Sequence, residues 1–169
     1  MNKFLKYKTL IALAFTIVMC IVFQIFFTGG FIPSESMENT LRVQDLTIGQ
    51  RVWKNTTINR LDIITFDDPE EKGEIMIKRV IGLPGDTVTI KDSNVYVNGK
   101  KLNEPYIKEK MEKEKTQTYH VPKNHYFCLG DNRNDSYDSR RWINPYLHRK
   151  SIISKANIVL FPLRHFKIL

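Results

Sequence analysis

Cysteine is scarce in this 169-residue chain, which has only Cys20 and Cys128. Cys20 lies inside a long apolar run and Cys128 far beyond it, so the two are not placed to form one bridge and no disulfide framework is implied. The four histidines, His120, His125, His148 and His165, show no zinc-like spacing with one another or with cysteine, so no metal site is expected. Acidic residues are missing from positions 1–30, which carry Lys3, Lys6 and Lys8. Setting those three aside lowers the net charge from +8 to +5 for residues 31–169, a moderate excess. The densest basic stretch, "KEKMEKEKTQ" at 108–117, alternates its lysines with Glu109, Glu112 and Glu114, as a solvated face does. Nucleic acid is therefore not an expected partner. There is no internal repeat, and the length fits about one domain.

What is present begins with "LIALAFTIVMCIVFQIFF", 18 residues from Leu10 to Phe27 without a charge. As a helix this run rises about 27 Å, close to the thickness of a bilayer core. The lysines ahead of it, with no cation directly after it, predict a cytoplasmic N-terminus. The expected organisation is a basic cytoplasmic segment at 1–9, a transmembrane helix at 10–27 and an extracytoplasmic domain at 31–169. Two other readings compete: a cleaved leader, since Thr28 and Gly30 are small, and a buried helix of a soluble domain.

Beyond the run the hydrophobic period changes. "RVWKN" (51–55), "LDIITF" (61–66), "EIMIKRVI" (74–81) and "TVTI" (87–90) are short and β-branched and predict strands. "NVYVNGKKL" (94–102) predicts a hairpin turning at Asn98-Gly99. "HYFCLG" (125–130) and "ANIVLF" (156–161) complete a mostly β domain, with punctuation at Pro69, Pro84-Gly85, Pro122, Pro145 and Pro162. The biased stretch 106–118 is expected to be a mobile excursion or a short helix.

Chemistry is hinted at by "FIPSESM" (31–37), where two serines flank a glutamate just past the apolar run. Proline and serine are ordinary turn residues, so a solvated loop explains them without a reaction. A nucleophilic serine needs a base, and neither a G-x-S-x-G elbow nor an S-x-x-K motif is present. His125, on an alternating strand beside Tyr126, reads as structural or exposed. Lys78 differs. In "EIMIKRVIGLPGD" (74–86) strand alternation sets it on one face with Met76 and Val80, while Arg79 shares the other with Ile77 and Ile81. Stripped of water there, a lysine loses the preference for its charged form and can act as a neutral base. Alternatively it snorkels to solvent from a half-exposed strand, and the segment leaves both readings open.

Three blocks in one order, "PSESM" (33–37), "IKRVIGLPGD" (77–86) and "GDNRNDSYDSR" (130–140), resemble the signatures of the type I signal peptidases, membrane-anchored Ser/Lys endopeptidases. Weaker likeness runs through "RLDIITFDDP" (60–69) and "SKANIVLFPLR" (154–164), so the resemblance covers most of the chain. It is to the short members that lack a large inserted domain. It implies antiparallel β-sheets after one N-terminal transmembrane helix, with Ser36 as nucleophile and Lys78 as general base. Ser34 would join the Ser36 N–H in an oxyanion hole, and Ser136 would orient the lysine. Arg79, Asp131, Arg133, Asp138 and Arg140 would form a charged scaffold, and Ile32, Met37 and Ile77 would line substrate pockets.

The implied activity is removal of signal peptides from secretory precursors beside a lipid bilayer, by a monomer with no metal or organic cofactor. Asn39 and Leu61 depart from the pattern, where the family often has proline and glycine, and that bears on local loop shape. A non-catalytic, membrane-tethered β module and a cytoplasmic Ser/Lys autopeptidase are the alternatives.

Overall fold

The computed structural model describes residues 3–113 and 115–169, with side chains described from Tyr7 onward. Met1, Asn2 and Glu114, and the side chains of Lys3 and Lys6, lie outside the described residues. Helix α1 spans Lys3–Phe26 and enters strand β1 (Phe27–Phe31) with no intervening residue. Its stretch from Tyr7 to Phe26 is long and apolar enough to cross a membrane, and none of it is buried against the rest of the chain.

Antiparallel strands make up the remainder. The larger sheet takes β1, β2 (Leu46–Arg51), β3 (Ile63–Asp67), β4 (Ile75–Gly82), β9 (His125–Leu129), β10 (Leu147–His148), β11 (Ile152–Phe161) and β12 (Lys167–Ile168). Its order is β1-β2-β11-β3-β4-β9-β10, with β12 attached to β11. The smaller sheet, ordered β7-β6-β5-β8, is built from β5 (Thr87–Lys91), β6 (Asn94–Val97), β7 (Lys100–Lys101) and β8 (Gln117–His120). Mostly antiparallel β structure after one apolar helix is the architecture expected from the sequence.

Strand β4 explains the core. It is buried on both faces, because Val80 joins Phe66, Cys128 and Trp142 in one apolar cluster while Ile81 packs with Val88, Val95 and Phe127 under the smaller sheet. Ile77 enters a third cluster with Ile32, Met37 and Leu41. The hairpin turns at Asn98-Gly99, where φ is 51° and 78°, the pair of left-handed residues that a two-residue turn requires.

One expected strand is displaced, and of the two alternatives for 106–118 the helix is not found among the described residues. Residues 52–55 are not a strand: Trp53 N–H donates to Thr56 Oγ1 at 2.9 Å and Thr56 N–H returns to Trp53 O at 3.0 Å, closing a turn. The strand lies upstream, at 46–51. Nor do 106–118 hold a helix among the described residues: a turn at 105–106 and a bend at 108–109 precede β8, and Met111 is 3% exposed, packed in the cluster beneath the smaller sheet.

Candidate active site

Ser36 sits in a tight turn after β1, closed by Glu38 N–H to Glu35 O at 2.9 Å and Leu41 N–H to Met37 O at 2.8 Å. Lys78 projects from the middle of β4, opposite Ile64 of β3. These two elements, 42 residues apart in sequence, bring Lys78 Nζ to 2.8 Å from Ser36 Oγ. The same nitrogen lies 3.1 Å from Ile77 O. Lys78 is 3% exposed, so it does not snorkel. Burial lowers its pKa, opposed chiefly by the buried carboxylate of Asp138. The strand segment could not decide this alone, because the covering of its second face comes from distant parts of the chain.

Ser34 Oγ lies 3.4 Å from Ser36 Oγ, on the same side of the turn. Ser34, Ser36, Met76, Ile77 and Lys78 border a cleft of 220 Å³. It adjoins a 340 Å³ groove whose walls are Gly29–Pro33 and Ile75–Ile77 and whose floor includes Thr65, Ser154 and Ala156. Ile32 and Ile77 face this groove. Met37 does not line it; the turn directs its side chain inward, where it is fully buried against Ile32 and Leu41 and backs the groove from beneath.

The segment after β9 braces the turn. Asn132 N–H donates to Ser36 O at 3.1 Å, and its side-chain amide to Glu35 O at 3.2 Å. Gly130 passes so close that a Cβ there would lie 2.2 Å from Ser136 Oγ and 2.5 Å from Ser36 O. Ser136 Oγ itself is buried with no hydrogen-bond partner among the described residues, while Lys78 Nζ is held by Ser36 and Ile77.

Around this lies a charged frame. Arg79 grips Asp131 through two bonds, Nε to Oδ1 at 2.8 Å and Nη2 to Oδ2 at 2.5 Å. Thr40, on the Ser36 turn, donates to the same carboxylate and accepts from Arg79 Nη2 at 3.2 Å. Asp138 accepts from Gly130 N–H at 3.0 Å and from Arg140 Nε at 2.9 Å. Arg133 Nε donates to Gly130 O at 2.9 Å, and its guanidinium pairs with Glu104 at 2.5 Å.

Sequence reasoning missed the second layer. Residues 104–111 form a strap across the frame: the Tyr106 ring covers the Arg79 guanidinium at 4.0 Å, Lys108 N–H donates to Asp131 O at 3.2 Å, and Lys108 Nζ pairs with Glu38 at 2.6 Å. Lysine-glutamate alternation hid this role, since the contacts use backbone groups and the aromatic just ahead of the charged run. The two departures also gain a reason. Leu61 holds φ at 74°, where glycine is at ease, and Asn39 at 43°, a conformation closed to proline.

A family model described as "Signal peptidase, peptidase S26" matches residues 4–161. The chain belongs to the signal peptidase family, peptidase S26. It is therefore a serine peptidase, a hydrolase. The chain is 36% identical to signal peptidase I P of Bacillus subtilis subsp. natto over 170 residues, 91% of each chain. It is 32% identical to signal peptidase I U of Bacillus subtilis (strain 168), over 96% of this peptidase and 92% of that one. The crystal structure of a signal peptidase I from Enterococcus faecalis V583 superposes with a TM-score of 0.52 at 34% identity, covering 59% of this chain and 97% of that one.

Proposed function

We propose that this peptidase removes signal peptides from exported precursors, with Ser36 as nucleophile and Lys78 as its base. The observation that carries the assignment is the 2.8 Å approach of a buried lysine amine to a serine hydroxyl at the mouth of a cleft. The neutral amine takes the hydroxyl proton as Ser36 Oγ attacks the scissile carbonyl. The oxygen that becomes negative is received by the Ser36 N–H and the Ser34 hydroxyl. Lys78, now an ammonium, returns its proton to the departing amine and leaves an ester on Ser36. A water then gives a proton to Lys78 as it attacks the ester, and Lys78 passes that proton to Ser36 Oγ as the ester bond breaks, freeing the second product and restoring the serine hydroxyl and the neutral amine. The Ser136 hydroxyl, unpartnered at rest among the described residues, is assigned to orient the amine during turnover, and the ion pairs of Arg79 with Asp131 and of Arg140 with Asp138, with Arg133 bracing the Gly130 turn, hold the turn and the lysine in register.

The groove supports an extended substrate. Ile75–Ile77 of β4 pair with β3 on one side, while β4 meets β9 only from Arg79 onward, so one edge of this stretch faces the groove. A peptide lying there as an added strand would present alternate side chains to a shallow floor of Ala156, Ser154 and Thr65 between Ile32 and Ile77, which admits small residues. With α1 spanning the bilayer and Lys3, Lys6 and Lys8 on the cytoplasmic side, the catalytic domain lies outside, where precursors emerge. Reconstituted in vesicles with a secretory precursor, Ser36→Ala and Lys78→Ala are each expected to remove processing while remaining folded and membrane-bound. Full processing by Lys78→Ala would discard the base.

A further inference from the structure

A separate cleft of 640 Å³ is lined chiefly by Trp53, Lys54, Asn124, His148, Arg149 and Lys150. Three of these are cations, and the lining contains no acid. Among the described residues neither Lys54 nor Lys150 forms an ion pair. The cleft is a constructed feature rather than two loose loops. Arg149 Nη2 donates to Thr56 O at 2.5 Å and to Trp53 O and Lys54 O, each at 3.2 Å, while Nη1 reaches the Tyr126 hydroxyl at 3.1 Å. Its backbone N–H is bound to Asn124 O at 2.9 Å. Arg149 thus ties the turn after β2, through its guanidinium, to the turn before β9, through its backbone N–H, and carbonyl oxygens screen but do not neutralise its charge. Lys54 and Lys150 flank it.

Position supplies the second argument. Strand β2 pairs Gln50 with Phe27, the first residue after α1, and Arg51 Nε donates to Gln24 O in the last turn of the helix at 3.1 Å. Val52 N–H donates to Ile153 O at 2.9 Å, so the turn that carries Trp53 and Lys54 begins where the sheet meets the helix end. Trp53 is 52% exposed there. An exposed indole beside uncompensated lysines at the end of a membrane helix matches the headgroup layer, where aromatic rings settle and cations meet anionic lipid.

We propose that this cleft binds the phosphate-bearing headgroup of an anionic phospholipid, with Lys54 and Lys150 as its charge partners and Trp53 along the lipid. The proposal rests on α1 being a membrane span. It gives the domain a second attachment beside the helix and so fixes its rotation about the helix axis. A soluble anion has the same charge but no use for the exposed indole.

The test uses the full chain in a neutral maltoside detergent, titrated with dihexanoyl phosphatidylglycerol, dihexanoyl phosphatidylcholine or inorganic phosphate while Trp53 emission is followed. The second tryptophan, Trp142, is buried and gives a steady background. Saturable binding of phosphatidylglycerol is expected, weakened about fivefold by Lys54→Gln or Lys150→Gln and about 30-fold by both. The Lys54→Arg/Lys150→Arg pair should keep its affinity, which separates lost charge from lost fold. Equal affinity for phosphatidylcholine, inorganic phosphate bound as tightly as the lipid, or unchanged binding in the double glutamine variant would each overturn the proposal.

Discussion

Replacing Asp131 with asparagine keeps the shape of the side chain and removes its charge. Asp131 is fully buried, and it is the shared acceptor for Arg79 Nε, Arg79 Nη2 and the Thr40 hydroxyl. Asp131→Asn leaves the Arg79 guanidinium, itself 8% exposed, without a counter-charge. Stranding one partner of a buried pair costs about 3–5 kcal/mol. That is a large share of the roughly 5–15 kcal/mol that holds a domain together. Removing both charges, as Arg79→Met with Asp131→Leu, should recover most of the loss, because a buried pair and an apolar pair of similar volume differ little in net stability. The residue of the cost is the Leu61 carbonyl, which loses its 2.9 Å bond from Arg79 Nη1 and is worth about 1–3 kcal/mol if left dry. The coupling between the two sites should therefore exceed about 2 kcal/mol. Turnover should not recover with stability, since the Ser36 turn would have lost the clamp on Thr40. Urea unfolding of the full chain in detergent, followed by the emission of Trp142, which meets Phe66 edge-on at 5.7 Å, measures the first quantity. A precursor-cleavage assay measures the second. Two single substitutions whose costs simply add, or an Asp131→Asn variant within 1 kcal/mol of the parent, would refute the clamp.

Burial lowers the Lys78 pKa, so the cleavage rate should rise with pH through a midpoint below the ordinary lysine value of about 10.4; a flat profile or a midpoint at that value would contradict the neutral base. The same shift means that the unfolded chain binds the proton more readily, so this group's contribution to stability should rise with pH between the folded and unfolded pKa values and be lost as pH falls through the folded one. Gly130→Ala puts a Cβ 2.5 Å from Ser36 O, and kcat should fall at least tenfold with KM nearly unchanged, read in steady-state cleavage. Ser136→Ala removes a buried hydroxyl that has no partner in the described residues, so it should leave the urea midpoint unchanged or raised while lowering kcat about 10–100-fold; loss of stability equal to loss of activity would make its role structural.

Particular residues show how much was legible in the sequence. The "EIMIKRVI" alternation located β4, and Asn98-Gly99 located the hairpin, because both signals are local and need nothing from the rest of the chain. Strand β1 was not legible: "FTGGF" has two glycines and adjoins a helix, and it is a strand only because β2 pairs with it. The strap at 104–111 escaped for a related reason, since its partners Asp131, Arg79 and Glu38 lie 23 or more residues away in sequence. For the site, motif blocks named Ser36 and Lys78, but their contact depended on two elements meeting across 42 residues.

The direct junction of α1 and β1 leaves no slack between anchor and sheet. Were the helix seated in a bilayer, the height of the groove would be a fixed dimension of the covalent chain. The chain would then act as a ruler, setting the height at which a bond can be cut, and adding or removing residues at the junction would move the mark.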